Sequence, residues 1–277
     1  MFCKDIVNIM KTKNLTQKLN FYELVGIILG DGCVYHYPEK GIYGLEISGN
    51  AEEDQEYFLK ISSFIENLIG KKPVISMRNH KLGKSLKLIV YSKKFAEYLI
   101  NDIGITSRNK TFEAAISDKF LDWKHSKHII RGLFETDGSL YFSKVKGISS
   151  YPRVEIKTSS KQIANQVTNV LKQRNFNPHI RTNNHDRTIG IYVSGPAMLE
   201  KWVNEIGFGS NKNLSKYLIW KKLGYYIPRI SFRNRMDILN YNINHIQARV
   251  PKRPKGSDVS ITLQAAKQLY EPEMVMK

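Results

Sequence analysis

Residues 24–32 read Leu24-Val25-Gly26-Ile27-Ile28-Leu29-Gly30-Asp31-Gly32, and residues 130–138 read Ile130-Arg131-Gly132-Leu133-Phe134-Glu135-Thr136-Asp137-Gly138. Aligned, they pair Gly26 with Gly132, Asp31 with Asp137 and Gly32 with Gly138, each 106 residues apart. Other landmarks keep the step. Lys72-Pro73-Val74-Ile75 and Asn177-Pro178-His179-Ile180 lie 105 apart, as do Asn79-His80 and Asn184-His185. Ile103-Gly104-Ile105 and Ile206-Gly207-Phe208 lie 103 apart. So small a drift across four landmarks marks a duplicated domain. A chain of 277 residues has room for two such units, each of about 100–150 residues. The expected division is an N-terminal extension (1–14), a first domain (15–125), a second domain (126–227) and a basic C-terminal extension (228–277).

Periodicity gives each copy the same order of elements. The apolar stretch 21–31 ends in Asp-Gly and reads as a buried helix stopped by Gly32. Strand-like runs at 33–38 and 42–48 flank the turn sequence Pro38-Glu39-Lys40-Gly41. Residues 52–69 place Phe58, Ile61, Ile65 and Leu68 at helical spacing, followed by strands 73–78 and 86–91 and a helix at 93–103. The second copy gives helix 127–137, strands 139–145 and 151–157, helix 160–174, strands 178–183 and 188–193, and helix 196–206. The expected class is α+β: two α-β-β-α-β-β-α domains, each an antiparallel sheet with helices on one face and the other face open.

Lys and Arg number 43 against 25 acids, a net charge of +18, which favours polyanion partners through counterion release. No apolar run reaches the length of a membrane span. The start Met1-Phe2-Cys3-Lys4-Asp5 lacks the apolar core of a secretory signal. Cys3 and Cys33 can form neither a disulfide framework nor a four-ligand zinc site. An intracellular, reducing compartment is expected, in cytoplasm, nucleoid or organelle matrix. The run Arg249-Val250-Pro251-Lys252-Arg253-Pro254-Lys255 reads either as an arm for phosphates or as a solvated tail.

Gly26 and Gly30, and Gly132 and Thr136, stand four apart on their helices, so two small-residue seams can meet about a pseudo-twofold axis. Asp31 and Asp137 then come together at the negative ends of two helix dipoles. Like charges so placed need a cation, and a hard divalent ion such as Mg²⁺ or Mn²⁺ suits oxygen ligands. A plain Asp-Gly turn explains one copy but not two equivalent ones.

The two stretches resemble the paired motifs of the LAGLIDADG homing endonucleases in their fused, single-chain form. Leu24, Gly26, Ile28, Asp31 and Gly32 match the first motif; Gly132, Leu133, Asp137 and Gly138 match the second. Leu29 departs from an often acidic sixth position that Glu135 keeps, and Arg131 replaces a small second residue. The resemblance spans roughly residues 15–227. It implies two saddle-shaped sheets straddling the major groove, the motif helices over the minor groove, and Asp31 and Asp137 as metal-binding catalytic acids. It further implies a double-strand break in duplex DNA leaving short 3′ overhangs. Basic residues near the centre usually assist; by position the candidates are Lys110 and Lys212, with Asn50 and Thr158 as water-ordering residues.

Strand alternation assigns the open face. Tyr35, Tyr37, Ser76 and Arg78 fall on it in the first copy, and Tyr141, Arg153, Glu155, Lys157, His179, Arg181 and Asn183 in the second. These residues offer hydrogen bonds to base edges and phosphates. His80 and His185 read as loop residues without a zinc pattern. Two fused copies predict a monomer on a long, asymmetric or pseudo-palindromic site. The alternative on the same scaffold is an intron RNA maturase or a DNA-binding regulator. An intein-embedded nuclease lacks a terminal nucleophile and His-Asn pair, so a free-standing, intron-encoded type is expected.

Overall fold

The structure is a computed structural model; it describes residues 17–80, 83–107, 110–183, 185 and 187–239. Two units make up the chain, Met1–Tyr226 and Ile227–Lys277. The basic run 249–255 lies outside the described residues.

The first copy opens with helix α1 (Phe21–Gly30), whose N-terminus is capped by Asn20 Oδ1 accepting from the Glu23 amide at 3.0 Å. Strands β1 (Gly32–Tyr37) and β2 (Ile42–Asn50) follow, then helix α2 (Gln55–Ile69), strands β3 (Val74–His80) and β4 (Gly83–Tyr91), and helix α3 (Lys93–Asn101). A short helix α4 (Lys110–Glu113) leads to helix α5 (Trp123–Asp137), which opens the second copy. That copy continues with β5 (Gly138–Val145), β6 (Ile148–Thr158), helix α6 (Lys161–Gln173), β7 (His179–Asn183), β8 (Thr188–Ser194) and helix α7 (Pro196–Glu205). Helix α8 (Asn211–Leu223) closes the first unit. Within the second unit, helix α9 (Phe232–Leu239) begins where Ser231 Oγ accepts from the Asn234 amide.

Each copy holds one fully antiparallel four-stranded sheet, in the orders β1-β2-β4-β3 and β5-β6-β8-β7. The registers agree beside the motif aspartates: Gly32 faces Ile47 and Cys33 faces Glu46, just as Gly138 faces Ile156 and Ser139 faces Glu155. Val34, Leu45, Ile47, Leu88 and Val90 are buried on one face of the first sheet, and Leu140, Val154, Ile156, Ile191 and Val193 on one face of the second. Against the first lie Phe58, Ile61 and Ile65 of α2 and Phe95 and Leu99 of α3, all buried. The expected α+β architecture is therefore present.

Several local readings change. Helix α2 begins at Gln55, not 52, and strands β4 and β6 begin at Gly83 and Ile148, three residues before the runs read from alternation. Helix α5 starts at Trp123, one turn before its apolar pattern, because Asp122 O already accepts from the Ser126 amide and hydroxyl. His80 ends β3 instead of lying in a loop, its Nε2 2.8 Å from Ser85 Oγ across the strand pair. Helix α8 was not expected at all. Its buried residues, Asn213, Leu214, Ser215, Tyr217, Leu218 and Ile219, run around the helix and leave no apolar stripe to recognise. No helix among the described residues is long and apolar enough to cross a membrane.

Helices α1 and α5 pack backbone to backbone. A Cβ placed on Gly26 would lie 3.0 Å from Gly132 Cα, and one on Gly132 would lie 2.7 Å from the Ile27 nitrogen. Backbone cannot yield as a side chain can, so only glycine fits at either position. Gly132→Ala is expected to lower unfolding free energy in urea by about 3 kcal/mol. Gly41→Ala is the control: φ is +63° there with open space around the missing Cβ, and the cost is about 1 kcal/mol.

Candidate active site and nucleic-acid interface

Because α1 and α5 touch along Gly26 and Gly132, their C-terminal ends arrive side by side. Thr136 folds its hydroxyl back to the Gly132 and Leu133 carbonyls, and Gly30 packs against it. Asp137 Oδ2 lies 2.9 Å from where a Cβ of Gly30 would stand, next to Asp31 in the chain. Asp31 caps α1 and Asp137 ends α5, and both are exposed, so the acids meet at the surface and not in the interior expected of them. Exposure leaves them reachable by a phosphodiester, and the two negative helix ends add to their field.

Hard divalent cations match this oxygen-only pair. Among the described residues, no group of three or more His, Cys, Asp or Glu is placed to hold a metal ion. Two carboxylates leave most of an octahedral shell to water and substrate oxygens.

Of the two candidate lysines, the side chain of Lys110 lies outside the described residues. Lys212 starts α8, where Ser210 Oγ accepts from its amide, and its ammonium sits 3.6 Å from Asp54 at the start of α2. One turn further, Lys216 places Nζ 3.3 Å from Ser139 Oγ and 3.2 Å from Asn213 Oδ1. Ser139 stands two residues beyond Asp137, so Lys216 borders the second carboxylate's strand. Its i, i+4 relation to Lys212 was the only trace of this in the sequence. Asn50 Oδ1 accepts from the Glu52 and Glu53 amides, and Thr158 Oγ1 from the Ser160 amide, so both side chains hold β–α corners.

Beneath the carboxylates lies a closed polar cluster on the seam between the copies. Glu23 of α1 is fully buried and receives Arg131 Nε at 2.9 Å and Nη2 at 2.6 Å. Arg131 also donates to the Ile206 carbonyl, and the Tyr57 hydroxyl donates to Glu23 at 2.7 Å. The arginine that departs from the motif is thus matched by a glutamate on the partner helix. Glu135, one turn along α5, accepts from the Gly209 amide at 2.8 Å and from the Ser210 hydroxyl. Burial pushes its carboxyl up to about 7, opposed by those two hydrogen bonds and reinforced by Glu23. Burial first, and Glu23 and Glu135 beside it, hold the Tyr57 hydroxyl protonated well above its ordinary range.

The open faces of both sheets carry the residues assigned to them by alternation. Tyr35, Tyr37, Ser76 and Arg78 share one face of the first sheet, and Tyr141, Arg153, Glu155, Lys157, His179, Arg181 and Asn183 one face of the second. Several are already engaged: Arg153 lies over Tyr192, 5.6 Å from its centroid, and reaches Ser143 Oγ at 3.1 Å, while His179 stacks on Tyr192. Glu46 and Lys87 were not picked out beforehand, although strand parity places both on the open face. Glu46 accepts from Tyr35 and pairs with Lys87. Burial alone would raise the Glu46 carboxyl, but hydrogen bonds from Lys87 and Tyr35 hold it below its ordinary value.

Residues 126–217 match the family model of the LAGLIDADG-like domain, and residues 21–119 match that of the WhiA LAGLIDADG-like domain. The chain belongs to the LAGLIDADG family, in its fused two-motif form. Among solved structures it is similar to the homing endonuclease I-DmoI in complex with DNA and Mn, at 19% identity and a TM-score of 0.48, covering 67% of this chain and 94% of that one. Similar too is the homing endonuclease I-WcaI bound to its DNA recognition sequence, at 16% identity and a TM-score of 0.46, covering 84% and 91%. The meganuclease I-SmaMI bound to uncleaveable DNA follows at 12% and 0.47, covering 75% and 90%. No curated protein matches the chain in sequence.

The buried cluster generates a pH dependence. Glu135 holds its proton up to about pH 7 in the folded protein, against an ordinary carboxyl value near 4.3 in the unfolded chain. The folded state therefore binds more protons between these values, and stability falls as pH rises through that window. Thermal or urea unfolding from pH 4 to 9 is expected to show this decline, about 4 kcal/mol at most. Glu135→Gln, which copies the protonated form, is expected to flatten it.

Proposed function

We propose that this LAGLIDADG protein is a site-specific double-stranded DNA endonuclease of the intron-encoded homing type, acting as a monomer. The observation that carries this reading is the pair Asp31 and Asp137, equivalent residues of a duplication, exposed side by side at adjoining helix ends. Two sheets flank them, with polar and basic residues on their open faces, in a chain of net charge +18. That is the chemistry of a duplex-binding surface around a phosphodiester-cleaving centre.

In this reading Asp31 and Asp137 hold divalent metal ions, Mg²⁺ or Mn²⁺, together with a scissile phosphate from each strand. The metal supplies an activated water and charge neutralisation at the leaving oxygen. Asp31 would hold the metal against one strand's phosphate and Asp137 against the other's, and the family resemblance implies a cut across the minor groove with short 3′ overhangs. Lys216, held by Asn213 and by Ser139 at the start of the strand that follows Asp137, supplies positive charge to one cleaved strand. The long open faces bind a long site, asymmetric or pseudo-palindromic because their residues differ. The neighbours crystallised on DNA support the substrate class.

A cleavage screen on a randomised duplex library tests the reading. Double-strand cuts are expected with Mg²⁺ or Mn²⁺ and none with chelator. Asp31→Asn and Asp137→Asn should each lower cutting of one strand by roughly 100-fold or more, leaving nicks in opposite strands. Duplex binding without cuts under every metal condition would instead make the chain a maturase-like or regulatory binder.

A further inference from the structure

Each sheet carries one carboxylate on an otherwise cationic open face, at the same register position. Glu46 stands opposite Cys33, and Glu155 opposite Ser139, each facing the residue two beyond its motif aspartate. An isolated carboxylate there would repel phosphates. Neither is isolated: the Glu46 side chain is 12% exposed and the Glu155 side chain 6%, and each is paired to a cation.

The cations come from different strands. In the first sheet Lys87 of β4 pairs with Glu46, and Ser76 of β3 stands opposite that lysine. At the equivalent pair in the second sheet, Gly190 of β8 stands opposite Arg181 of β7, and Arg181 reaches Glu155 at 3.1 Å. Lysine with serine has become glycine with arginine. The glycine leaves Glu155 its present place, since a Cβ on Gly190 would lie 2.6 Å from Glu155 Oε1 and the carboxylate would have to shift. Two halves that differ at both positions nonetheless hold a glutamate-bound cation at one station.

Pairing changes what such a cation prefers. Its charge is already balanced, so a phosphate gains less from it, while its outward N–H groups still seek acceptors. The O6 and N7 edge of guanine offers a neutral pair of acceptors to arginine or lysine. Holding the long side chain in place beforehand also removes part of the entropy cost of ordering it on binding. Arg181, with a side chain 62% exposed, has most of its fork available.

Resting on the DNA-cutting reading above, we propose that Lys87 and Arg181 read guanine at equivalent positions of the two half-sites, with Glu46 and Glu155 as their positioning residues. The test is selection of bound duplexes from a randomised library in Ca²⁺, followed by competition binding on the selected site. Wild type is expected to require guanine at two positions equally distant from the centre. Arg181→Ala should erase the preference at one and Lys87→Ala at the other, each by about 10–100-fold, with the preferences at other positions retained and a smaller, sequence-independent loss from the missing charge. Glu155→Gln should weaken the Arg181 position alone while non-specific affinity holds or rises. The pair Arg181→Ser with Gly190→Lys, which installs the first sheet's arrangement, should restore guanine there. A loss that is only uniform across sequences would overturn the proposal in favour of phosphate contacts, as would a Glu155→Gln switch to a different preferred base. Arg181 is exposed, so its variant keeps the test open should Glu155→Gln fail to fold. A wild type that binds no duplex at all would instead overturn the nuclease reading itself.

Discussion

The contact between Gly26 and Gly132 is the constraint on which the rest of the molecule depends. Where the two helices meet at Gly26 and Gly132 they have little freedom to slide, because the nearest atoms across the seam there are main chain. That single approach brings Asp31 beside Asp137 and sets the two sheets on either side of them. It also confines whatever lies deeper along the seam to a narrow, dry space, where charges must be matched.

The matching is only partial. Glu23 is neutralised by Arg131, whereas Glu135 has hydrogen bonds but no cation among its described contacts. Two acids with one base leave the cluster one charge short, and a proton on Glu135 supplies it near neutral pH. The seam is further tied by exchanged contacts between the copies. The Ile116 backbone of the linker after α4 makes two hydrogen bonds to the Gln166 amide of α6, at 2.9 and 2.7 Å. In the other direction, Asn211 and Lys212 at the start of α8 reach Glu56 and Asp54 of the first copy. Each half therefore completes a corner of the other.

What the sequence made legible follows from what was local. The duplication, the helix and strand order and the open-face assignments all rest on sequence spacing, while element ends moved by up to four residues, as where Asp122 starts α5 early and where α2 begins only at Gln55. Side-chain pairing across 100 residues was not legible. Arg131 looked like a lapse from the motif until Glu23 appeared against it, and nothing in either segment names the other. Lys212 was chosen by its place after Ile-Gly, but the helix it begins has no amphipathic signature, so its direction toward Asp54 and the position of Lys216 were out of reach. Glu46 and Lys87 were readable by the same parity that picked out Glu155, but the pairing between them was not.

The exchange of Lys87 and Ser76 for Gly190 and Arg181 makes the β3–β4 hairpin, and its counterpart β7–β8, an indivisible unit of inheritance. Grafting β4 alone into the second half would crowd Glu155 with a lysine and an arginine at once. The reciprocal graft of β8 alone would strand Glu46 beside a glycine and a serine, without the lysine that now pairs with it. Recombination between such halves, natural or designed, therefore keeps both carboxylates paired when its crossover points fall outside the hairpins and not within their turns.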